Sequence, residues 1–407
     1  MIFNSKFIFK KISEGSSFLS GYAFKSSDFT SHGIPVIKIK NIQDKRVNFL
    51  KDQFVSEKKL TEKLEKFKIR KNDILIAMTG QGSVGRVGQV KIKTNTFGLL
   101  NQRVGKFICD EIKLNNNYLF YVISSQRYEE YLFNKAIGSG QPNLSPSDII
   151  NIKIPFPSYE EQKSIAQILS TIDDKIENNL AINKTLEEMA MALYKHWFVD
   201  FGPFQNGEFV DSELGSIPKG WEVKRLDEIY ISHNKKRKPI STNERAKIQG
   251  EYPYFGATKI LDYIDHFKFE GEYILLAEDG TVKTERDTPF LQFVTGKFCV
   301  SNHAHVLTGN KDYSNEFLYL SLSNTNVIPI ITGAVQLKIN KENLEKLQFI
   351  VSPKETLNRF EDKIIPLYKQ IKENELENQT LTQLRDTLLP KLISGEVRLK
   401  EYRELTN

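Results

Sequence analysis

Hydrophobic residues in the first part of the chain occur in short runs separated by turn-rich breaks. The runs at 34–40, 73–77 and 87–93 are rich in β-branched residues and have the length of strands. Residues 150–157 alternate apolar and polar side chains and end in two prolines, which do not fit inside a sheet. The pattern predicts a mixed, β-rich domain over residues 1–157.

The pattern becomes helical after residue 157. Ser158 and Glu161 have the spacing of a capping box, in which each side chain accepts a backbone N–H of the other. Apolar residues then recur at alternating spacings of four and three, with two asparagines in the middle of the series. Such a seam requires a partner helix, and its polar positions fix the register. We expect a spacer helix over 158–198. Its seam is Ile165, Leu169, Ile172, Ile176, Asn179, Asn183, Leu186, Ala190 and Leu193.

The pattern then restarts. A second β-rich stretch, 199–353, precedes a second helical stretch, 354–396, and a short tail, 397–407. Adding 195 to each seam position gives an equivalent seam in which the asparagine pair recurs and only Arg385 is charged. The second seam is Phe360, Ile364, Leu367, Ile371, Asn374, Asn378, Leu381, Arg385 and Leu388.

The β-rich stretches repeat in the same way. Gln141 matches Gln336 at an offset of 195, and the apolar run 74–77 matches 274–277 at an offset of 200. This period is far longer than the repeats of solenoid proteins. The chain is therefore predicted to contain two copies of a domain followed by a long helix.

The two helices are expected to pair with each other. The predicted fold class is α+β: two β-rich domains, each followed by a long helix, with the helices forming an antiparallel coiled coil of pseudo-two-fold symmetry. The first seam would be about 43 Å long at about 1.5 Å per residue. Pro366 conflicts with a helix interior, where proline costs about 3 kcal/mol, so either the second helix starts later or Pro366 marks a kink.

Length and composition narrow the class of protein. A chain of 407 residues predicts two or three domains, and 57 basic against 51 acidic residues give a net charge of +6. This mild excess suits a polyanionic partner without identifying one. Cys109 and Cys299 are too few for a zinc cluster or a disulfide framework. No apolar run resembles a membrane span or a signal peptide. We expect a cytoplasmic protein.

One motif suggests a nucleotide cofactor. Residues 80–85 read Gly-Gln-Gly-Ser-Val-Gly and directly follow a predicted strand. A dinucleotide site requires a helix next, whereas the following residues alternate and are β-branched, which favours a hairpin turn. An exposed hairpin of this composition could still contact a phosphate backbone or base edges.

Two other motifs suggest metal chemistry. Asp148 with Glu161 and Lys163 imitates a nuclease site, but Glu161 is explained by capping and the second half of the chain has no equivalent set. His303 and His305 would share one face of a strand but lack further ligands, which favours half-buried or surface histidines.

Basic clusters recur in both halves. Residues 233–238 contain four Lys or Arg, and Lys38, Lys40, Lys45 and Arg46 occupy a comparable part of the first half. Such runs are often only solvated surface, and we give that interpretation the same weight as phosphate contact because aromatics and polar loops accompany the clusters.

Several segments together resemble one known family. In order along the chain, they are 138–143, 155–162, 211–226 and 388–397. They are similar to the specificity subunit of type I restriction-modification systems, over nearly the whole chain. One departure is that 7–12 stands for 221–226 without the preceding Ile-Pro-Lys-Gly, so that either the first domain begins differently or the start site is shortened.

The resemblance implies a non-catalytic reader of double-stranded DNA. Each β-rich domain would be a target recognition domain for one half of a split, asymmetric sequence, and the helices would set the spacing and dock two modification (methyltransferase) subunits. Restriction (translocase and nuclease) subunits would complete the complex. S-adenosylmethionine, ATP and Mg²⁺ would bind to those partners and no cofactor to this chain. No membrane partner is expected.

Two other classes of function stay open at this point: an enzyme with an unrecognised active site, and a coiled-coil scaffold that does not contact DNA. For the DNA reader, neither catalytic nor metal-binding residues are predicted. The expected DNA contacts in the first half are Lys38, Lys40, Gln81, Ser83, Arg86, Gln102, Arg103, Gln141 and Asn143. Those in the second half are Lys236, Arg237, Lys259, Thr281, His303, Gln336 and Lys338.

Overall fold

The computed structural model describes residues 5–49, 53–92, 96–137 and 142–398. The chain forms two compact units. Unit 1 comprises Met1–Glu177 and Asn378–Asn407, and unit 2 comprises Asn178–Glu377. No helix among the described residues is long and apolar enough to cross a membrane.

Unit 1 is a β-rich domain with short helices. Its strands are β1 (Phe9–Lys11), β2 (Ser16–Ser20), β3 (Phe29–Thr30), β4 (Ile34–Ile37), β5 (Ile42–Gln43), β6 (Arg46–Val47), β7 (Phe54–Val55), β8 (Lys68–Ile69), β9 (Ile74–Ala77), β10 (Val87–Val90), β11 (Gly98–Leu100), β12 (Val104–Cys109) and β13 (Lys153–Pro155). Its helices are α1 (Glu62–Glu65), α2 (Asn116–Ile123), α3 (Gln126–Ala136), α4 (Pro146–Ile150) and the first half of α5 (Tyr159–Phe198).

Strand β9 lies inside the main sheet of unit 1. The order of that sheet is β2-β12-β9-β10-β6-β5, and a second sheet has the order β3-β7-β4-β11-β8. All four residues of β9 are buried, which explains why its sequence is a continuous apolar run instead of an alternating one. In the second sheet, β11 pairs with β4 in parallel.

Unit 2 is also β-rich, with short helices between its strands and part of a long helix. Its strands are β14 (Phe209–Ser212), β15 (Gly215–Pro218), β16 (Glu222–Arg225), β17 (Tyr230–Ser232), β18 (Gln249–Phe255), β19 (Ile260–Ile264), β20 (Phe269–Ala277), β21 (Leu291–Val300), β22 (Ala304–Gly309) and β23 (Gln348–Val351). Its helices are α6 (Leu226–Ile229), α7 (Thr242–Arg245), α8 (Asn315–Ser323), α9 (Lys341–Leu344) and α10 (Lys354–Ser394), of which α10 contributes its first half.

The sheet of unit 2 has the order β17-β22-β20-β21-β18-β19. Strand β20 takes the place of β9, between β22 and β21, and its last four residues are buried. The parallel pairing of β21 with β18 repeats that of β11 with β4. The predicted duplication is therefore visible in the strand order of the two units.

The beginnings of the two units also correspond. In unit 1, β1 pairs with β13, so that Phe9 lies opposite Pro155. In unit 2, β16 pairs with β23, and Val223 lies opposite Ile350. Phe9 and Val223 differ by 214 in residue number, and Pro155 and Ile350 differ by 195. The offset of 214 also relates 7–12 to 221–226, so the structure agrees with the interpretation that these two segments correspond.

The two long helices pair in unit 2. Asn374 Nδ2 donates to Asn183 Oδ1 at 2.7 Å, and further along the pair the rings of Tyr194 and Phe360 pack with their centroids 6.3 Å apart. Residue numbers rise along α5 as they fall along α10, so the pairing is antiparallel, as predicted. The seam differs from the prediction near the end of α5, where Tyr194 and Phe198 are buried and Leu193 is only partly buried.

The helices also pair in unit 1. Leu169 packs in one core with Leu389 and Leu392. Arg385, the charged residue of the predicted seam, donates from Nη1 to Asp173 Oδ1 on α5 at 2.8 Å. A residue that interrupts the apolar series therefore has a specific partner on the facing helix.

Two local expectations for the helices need correction. Helix α10 begins at Lys354 and continues through Pro366, so Pro366 does not lie in the first turn of a later helix. At the start of α5, Ser158 Oγ accepts the Glu161 N–H at 3.4 Å, but the Glu161 carboxylate is bound by the Arg398 guanidinium. Glu161 therefore connects two parts of unit 1, in addition to its place in the first turn.

We expect Asn374→Leu to destabilise unit 2 by about 1–3 kcal/mol, because the buried oxygen of Asn183 loses its donor. The double change Asn183→Leu and Asn374→Leu should recover that loss, because it makes the seam apolar on both helices. Urea unfolding followed by tryptophan fluorescence measures both effects, since Trp197 and Trp221 lie in the core of unit 2. A double variant as unstable as the single variant would contradict this account.

Candidate nucleic-acid interface

Three segments of unit 1 meet at the end of β9. The Met78 N–H donates to the Arg103 carbonyl at 3.0 Å, and the Met78 carbonyl accepts the Leu144 N–H at 2.8 Å. Residues that are far apart in sequence are thus joined through one backbone position. Because Met78 follows a fully buried strand, the sheet fixes the place where these segments meet.

A fourth segment joins the same surface. The Asn101 N–H donates to the Ile37 carbonyl at 3.1 Å. Gly80 lies so close to Ile39 that a Cβ there would be 3.1 Å from the Ile39 Cδ1 atom, and its φ of +110° favours glycine in any case. We call this surface, formed by residues 37–41, 78–86, 101–103 and 142–144, the loop edge of unit 1.

The glycine motif 80–85 is a hairpin connection within the loop edge. It links β9 to β10, which pair antiparallel with Val87 opposite Ile76. The hairpin interpretation is confirmed. A helix does not follow the motif, so it lacks the element whose N-terminus would hold a dinucleotide phosphate.

The loop edge of unit 1 exposes most of the residues predicted there to contact DNA. Lys38 is half-buried, with its Nζ 4.4 Å from the centre of the Phe29 ring, and Ser83 is also half-buried. Gln141 lies outside the described residues. The exposed members are Lys40, Gln81, Arg86, Gln102, Arg103 and Asn143.

Two arginines of this edge differ in their surroundings. Neither Arg86 nor Arg103 forms an ion pair with any residue that the structure describes. Arg86 lines a cavity of about 500 Å³ together with Lys45 and Glu129. Burial raises the pKa of Glu129. Arg103 lies instead at the junction of the three segments.

Unit 2 forms its own loop edge with the same backbone contacts. The Glu278 N–H donates to the His303 carbonyl at 2.8 Å, and the Glu278 carbonyl accepts the Ile339 N–H at 2.8 Å. The Ser301 N–H donates to the Phe255 carbonyl at 2.9 Å. We call residues 234–238, 255–259, 278–282, 301–303 and 332–339 the loop edge of unit 2.

A half-buried ion pair supports this second edge. Arg237 Nη1 donates to Glu278 Oε2 at 2.6 Å and to the Ala304 carbonyl at 2.8 Å, and Lys338 Nζ is 3.5 Å from Glu278 Oε1. Burial raises the pKa of Glu278, but the hydrogen bond from Arg237 and the neighbouring positive charges outweigh it, so the pKa lies below its ordinary value. Arg237, predicted to contact DNA, is placed where it joins the loops of the edge.

The paired histidine motif of unit 2 divides into two environments. His305 is buried, its Nε2 donates to the Ile339 carbonyl at 2.8 Å, and its Nδ1 lies 2.8 Å from the Asn234 amide nitrogen. Burial lowers the pKa of His305, in agreement with a neutral ring that donates on one side and accepts on the other. His303 is exposed, and its Nδ1 faces both oxygens of Asp279.

Metal chemistry does not explain the acidic motif of unit 1. Asp148 accepts from the Ser145 N–H and caps α4, whereas Glu161 binds Arg398. Among the residues that the structure describes, no three His, Cys, Asp or Glu side chains are grouped as a metal site requires.

The exposed part of the second edge is polar and basic. Lys236 and Lys259 are exposed and form no ion pair within the described ranges, and Lys338 is half exposed beside Glu278. Thr281 and Gln336, also predicted to contact DNA, are exposed.

Sequence reasoning did not select three residues of this edge. Glu278 and Asp279 follow the strand β20, and Val335 is fully exposed at the tip of a hairpin closed by two backbone hydrogen bonds between Thr332 and Lys338. In the sequence, Glu278 and Asp279 are marked by their offset of 200 from Met78 and Thr79, which follow the corresponding strand of unit 1. Val335 is marked as an apolar residue inside a polar turn.

A comparison with protein families identifies the family of this chain. The family model described as the type I restriction modification DNA specificity domain matches residues 4–188 and 218–385. The chain belongs to this family. The specificity subunit is the DNA-recognition component of such systems and is not their catalytic component.

Relatives with the same function align over much of the chain. The MjaIX specificity subunit of Methanocaldococcus jannaschii is 32% identical over 306 residues, which cover 70% of each protein. A second protein of the same organism is named as the putative type I restriction enzyme MjaX specificity subunit. It is 25% identical over 90% of this chain and 88% of its own length. The crystal structure of the S subunit from M. genitalium matches with a TM-score of 0.58, 18% identity and 96% coverage of both chains, and it supports the fold.

Glu278→Gln should lower the unfolding free energy of this specificity subunit by about 1–3 kcal/mol near pH 7, because Arg237 loses a charged acceptor. Because the folded pKa of Glu278 is lowered, its contribution is present above the unfolded value near 4.5 and is lost as the pH falls through the folded value. The difference between wild type and variant should therefore shrink below pH 4.5. Urea unfolding at a series of pH values, followed by tryptophan fluorescence, tests this, and a pH-independent difference would contradict it.

Proposed function

We propose that each unit reads one half of a split DNA target through its loop edge, and that the paired helices set the spacing of the two halves. The observation that carries this proposal is the repeated backbone frame. In both units the residue after a buried central strand, Met78 or Glu278, joins the same two loops through its N–H and its carbonyl.

A repeated frame with different side chains suits an asymmetric target. Thr79 and Arg103 of unit 1 correspond to Asp279 and His303 of unit 2 at an offset of 200. Sequence is read in the major groove by hydrogen bonds to base edges, so different donors and acceptors on one frame would select different bases.

The charges at the edges support contact with phosphates. Many basic side chains elsewhere in the units are held by carboxylates, such as Arg385 by Asp173. Lys236 and Lys259 are exposed and have no ion-pair partner among the described residues, so they can neutralise phosphates without first breaking a salt bridge.

The partners of the chain follow from the same proposal. We infer that it binds double-stranded DNA and assembles in the cytoplasm with two modification subunits and with restriction subunits. S-adenosylmethionine, ATP and Mg²⁺ would bind to those partners. The resemblance to type I specificity subunits, and not a feature of the loop edges, supports this part of the proposal.

Lys236→Ala should weaken DNA binding by the complete complex on every sequence, because the lysine contacts a phosphate. The slope of log K against log salt concentration should fall by about 1. Binding is measured by fluorescence anisotropy between about 50 and 200 mM salt, with a duplex that contains the target found by sequencing methylated DNA.

Lys311→Ala is the matched control. Lys311 is exposed and unpaired among the described residues, and it follows the opposite end of β22 from His303. It should leave both the affinity and the salt slope unchanged. Equal slopes for wild type and Lys236→Ala would remove Lys236 from the interface.

Arg103→Ala should relax the base preference at one position of one half-site, with a loss of about 1–3 kcal/mol of discrimination, because arginine reads guanine through two hydrogen bonds. Sequencing of DNA methylated by complexes that contain the variant measures the change. Arg70→Ala is the control, because Arg70 is exposed and precedes the opposite end of β9. A uniform loss on all sequences would instead assign Arg103 to a phosphate.

A further inference from the structure

The two loop edges differ in charge at one exposed pair of positions. Unit 1 has Thr79 next to Arg103, and both are neutral or positive. Unit 2 has Asp279 next to His303. Since the backbone contacts at these positions are the same in both units, the difference lies in the side chains and in the bases that they can accept.

The Asp279 and His303 side chains form a defined pair. Oδ1 and Oδ2 of Asp279 lie 2.8 and 2.9 Å from His303 Nδ1. An ionised carboxylate only accepts hydrogen bonds, so Nδ1 carries the proton. One N–H occupies part of a carboxylate that has about four lone-pair directions, and Asp279 therefore retains capacity for another donor.

The neighbouring charges do not occupy this capacity. Arg237 and Lys338 are directed to Glu278, beneath the edge. Among the described ion pairs, the partner of Asp279 is His303. The Asp279 side chain is 19% exposed, and the His303 side chain is 48% exposed. Asp279 is thus a partly accessible acceptor, held in one orientation.

A carboxylate at a DNA-binding edge requires a specific partner. It is repelled by phosphates, and its desolvation is unfavourable unless it accepts N–H groups. In the major groove, the donors on base edges are the N6 amino group of adenine and the N4 amino group of cytosine. In unit 1, the residue that corresponds to Asp279 is the neutral Thr79, and Arg103, which corresponds to His303, is a pure donor and suits guanine.

We propose that Asp279, positioned by His303, is a specificity-determining acceptor for the major-groove amino group of one adenine or cytosine in the half-site of unit 2. This inference rests on the proposed function and adds the class of base that one position recognises. His303 acts through Asp279, whose carboxylate it orients.

The first experiment locates the position that Asp279 reads. The complete complex binds a set of duplexes in which each base pair of the target is changed in turn. Asp279→Ala should relax the preference at one position of one half-site and leave the other half-site unchanged. Asp265→Ala is the control, because Asp265 Oδ1 also lies close to a histidine nitrogen, His266 Nδ1, at 2.7 Å. Asp265 follows the last residue of β19, Ile264, and so lies at the end of that strand away from the loop 255–259.

The second experiment removes the amino group from the DNA. At the position found, purine replaces adenine or 2-pyrimidinone replaces cytosine, so the amino group is lost and the ring is kept. Wild type should lose about 5- to 100-fold in affinity. Asp279→Ala should show no further loss on this duplex, because the variant and the analogue each remove the same hydrogen bond.

The outcomes separate this inference from the proposed function. Specific binding in which Asp279→Ala changes no position, or an analogue that costs the same in wild type and variant, would overturn the inference alone. The absence of specific binding by the wild-type complex would overturn the proposed function as well. If tryptophan fluorescence shows that Asp279→Ala is unfolded, the wild-type complex alone is tested with the analogues. A wild-type affinity that no analogue lowers, at any adenine or cytosine of that half-site, would refute the inference.

Discussion

The structure of each unit depends on the end of one buried strand. β9 and β20 lie inside their sheets, and the residue that follows each of them uses both its N–H and its carbonyl to hold two distant loops. Buried backbone groups have to be paired, so this requirement fixes where the loops meet whatever their side chains are. A surface of variable side chains can therefore be carried on a constant backbone.

The two copies stabilise this junction differently. Met78 in unit 1 is an apolar residue packed into the core, whereas Glu278 in unit 2 accepts a hydrogen bond from Arg237 and lies 3.5 Å from Lys338 Nζ. This ion pair is half-buried. Desolvation offsets part of the attraction in such a pair, but removing one partner leaves an uncompensated charge. The second edge is thus more sensitive than the first to single substitutions of its charged residues.

The long helices show how much a repeating pattern determines. The spacing of the apolar residues, and the asparagines at Asn183 and Asn374, predicted an antiparallel pair with a polar layer, and those two side chains are hydrogen-bonded. The position of Pro366 was harder to interpret, because its local cost of about 3 kcal/mol is set against the packing of residues before and after it in a 41-residue helix. Ile364 and Tyr368, on either side of Pro366, are buried in the core of unit 2.

The sequence by itself determined the duplication, the helix pair and the hairpin nature of residues 80–85, because offsets, apolar periodicity and β-branched alternation are local or repeated signals. Most of the residues that it predicts to contact DNA lie in the segments that form the loop edges. Only the tertiary structure decided that Arg237 lies beneath an edge and Lys236 on it, and that Asp279 meets His303. Adjacent residues of one basic run look alike in sequence. Their roles separate only when a half-buried carboxylate at the end of a distant strand, that of Glu278, pairs with one of them.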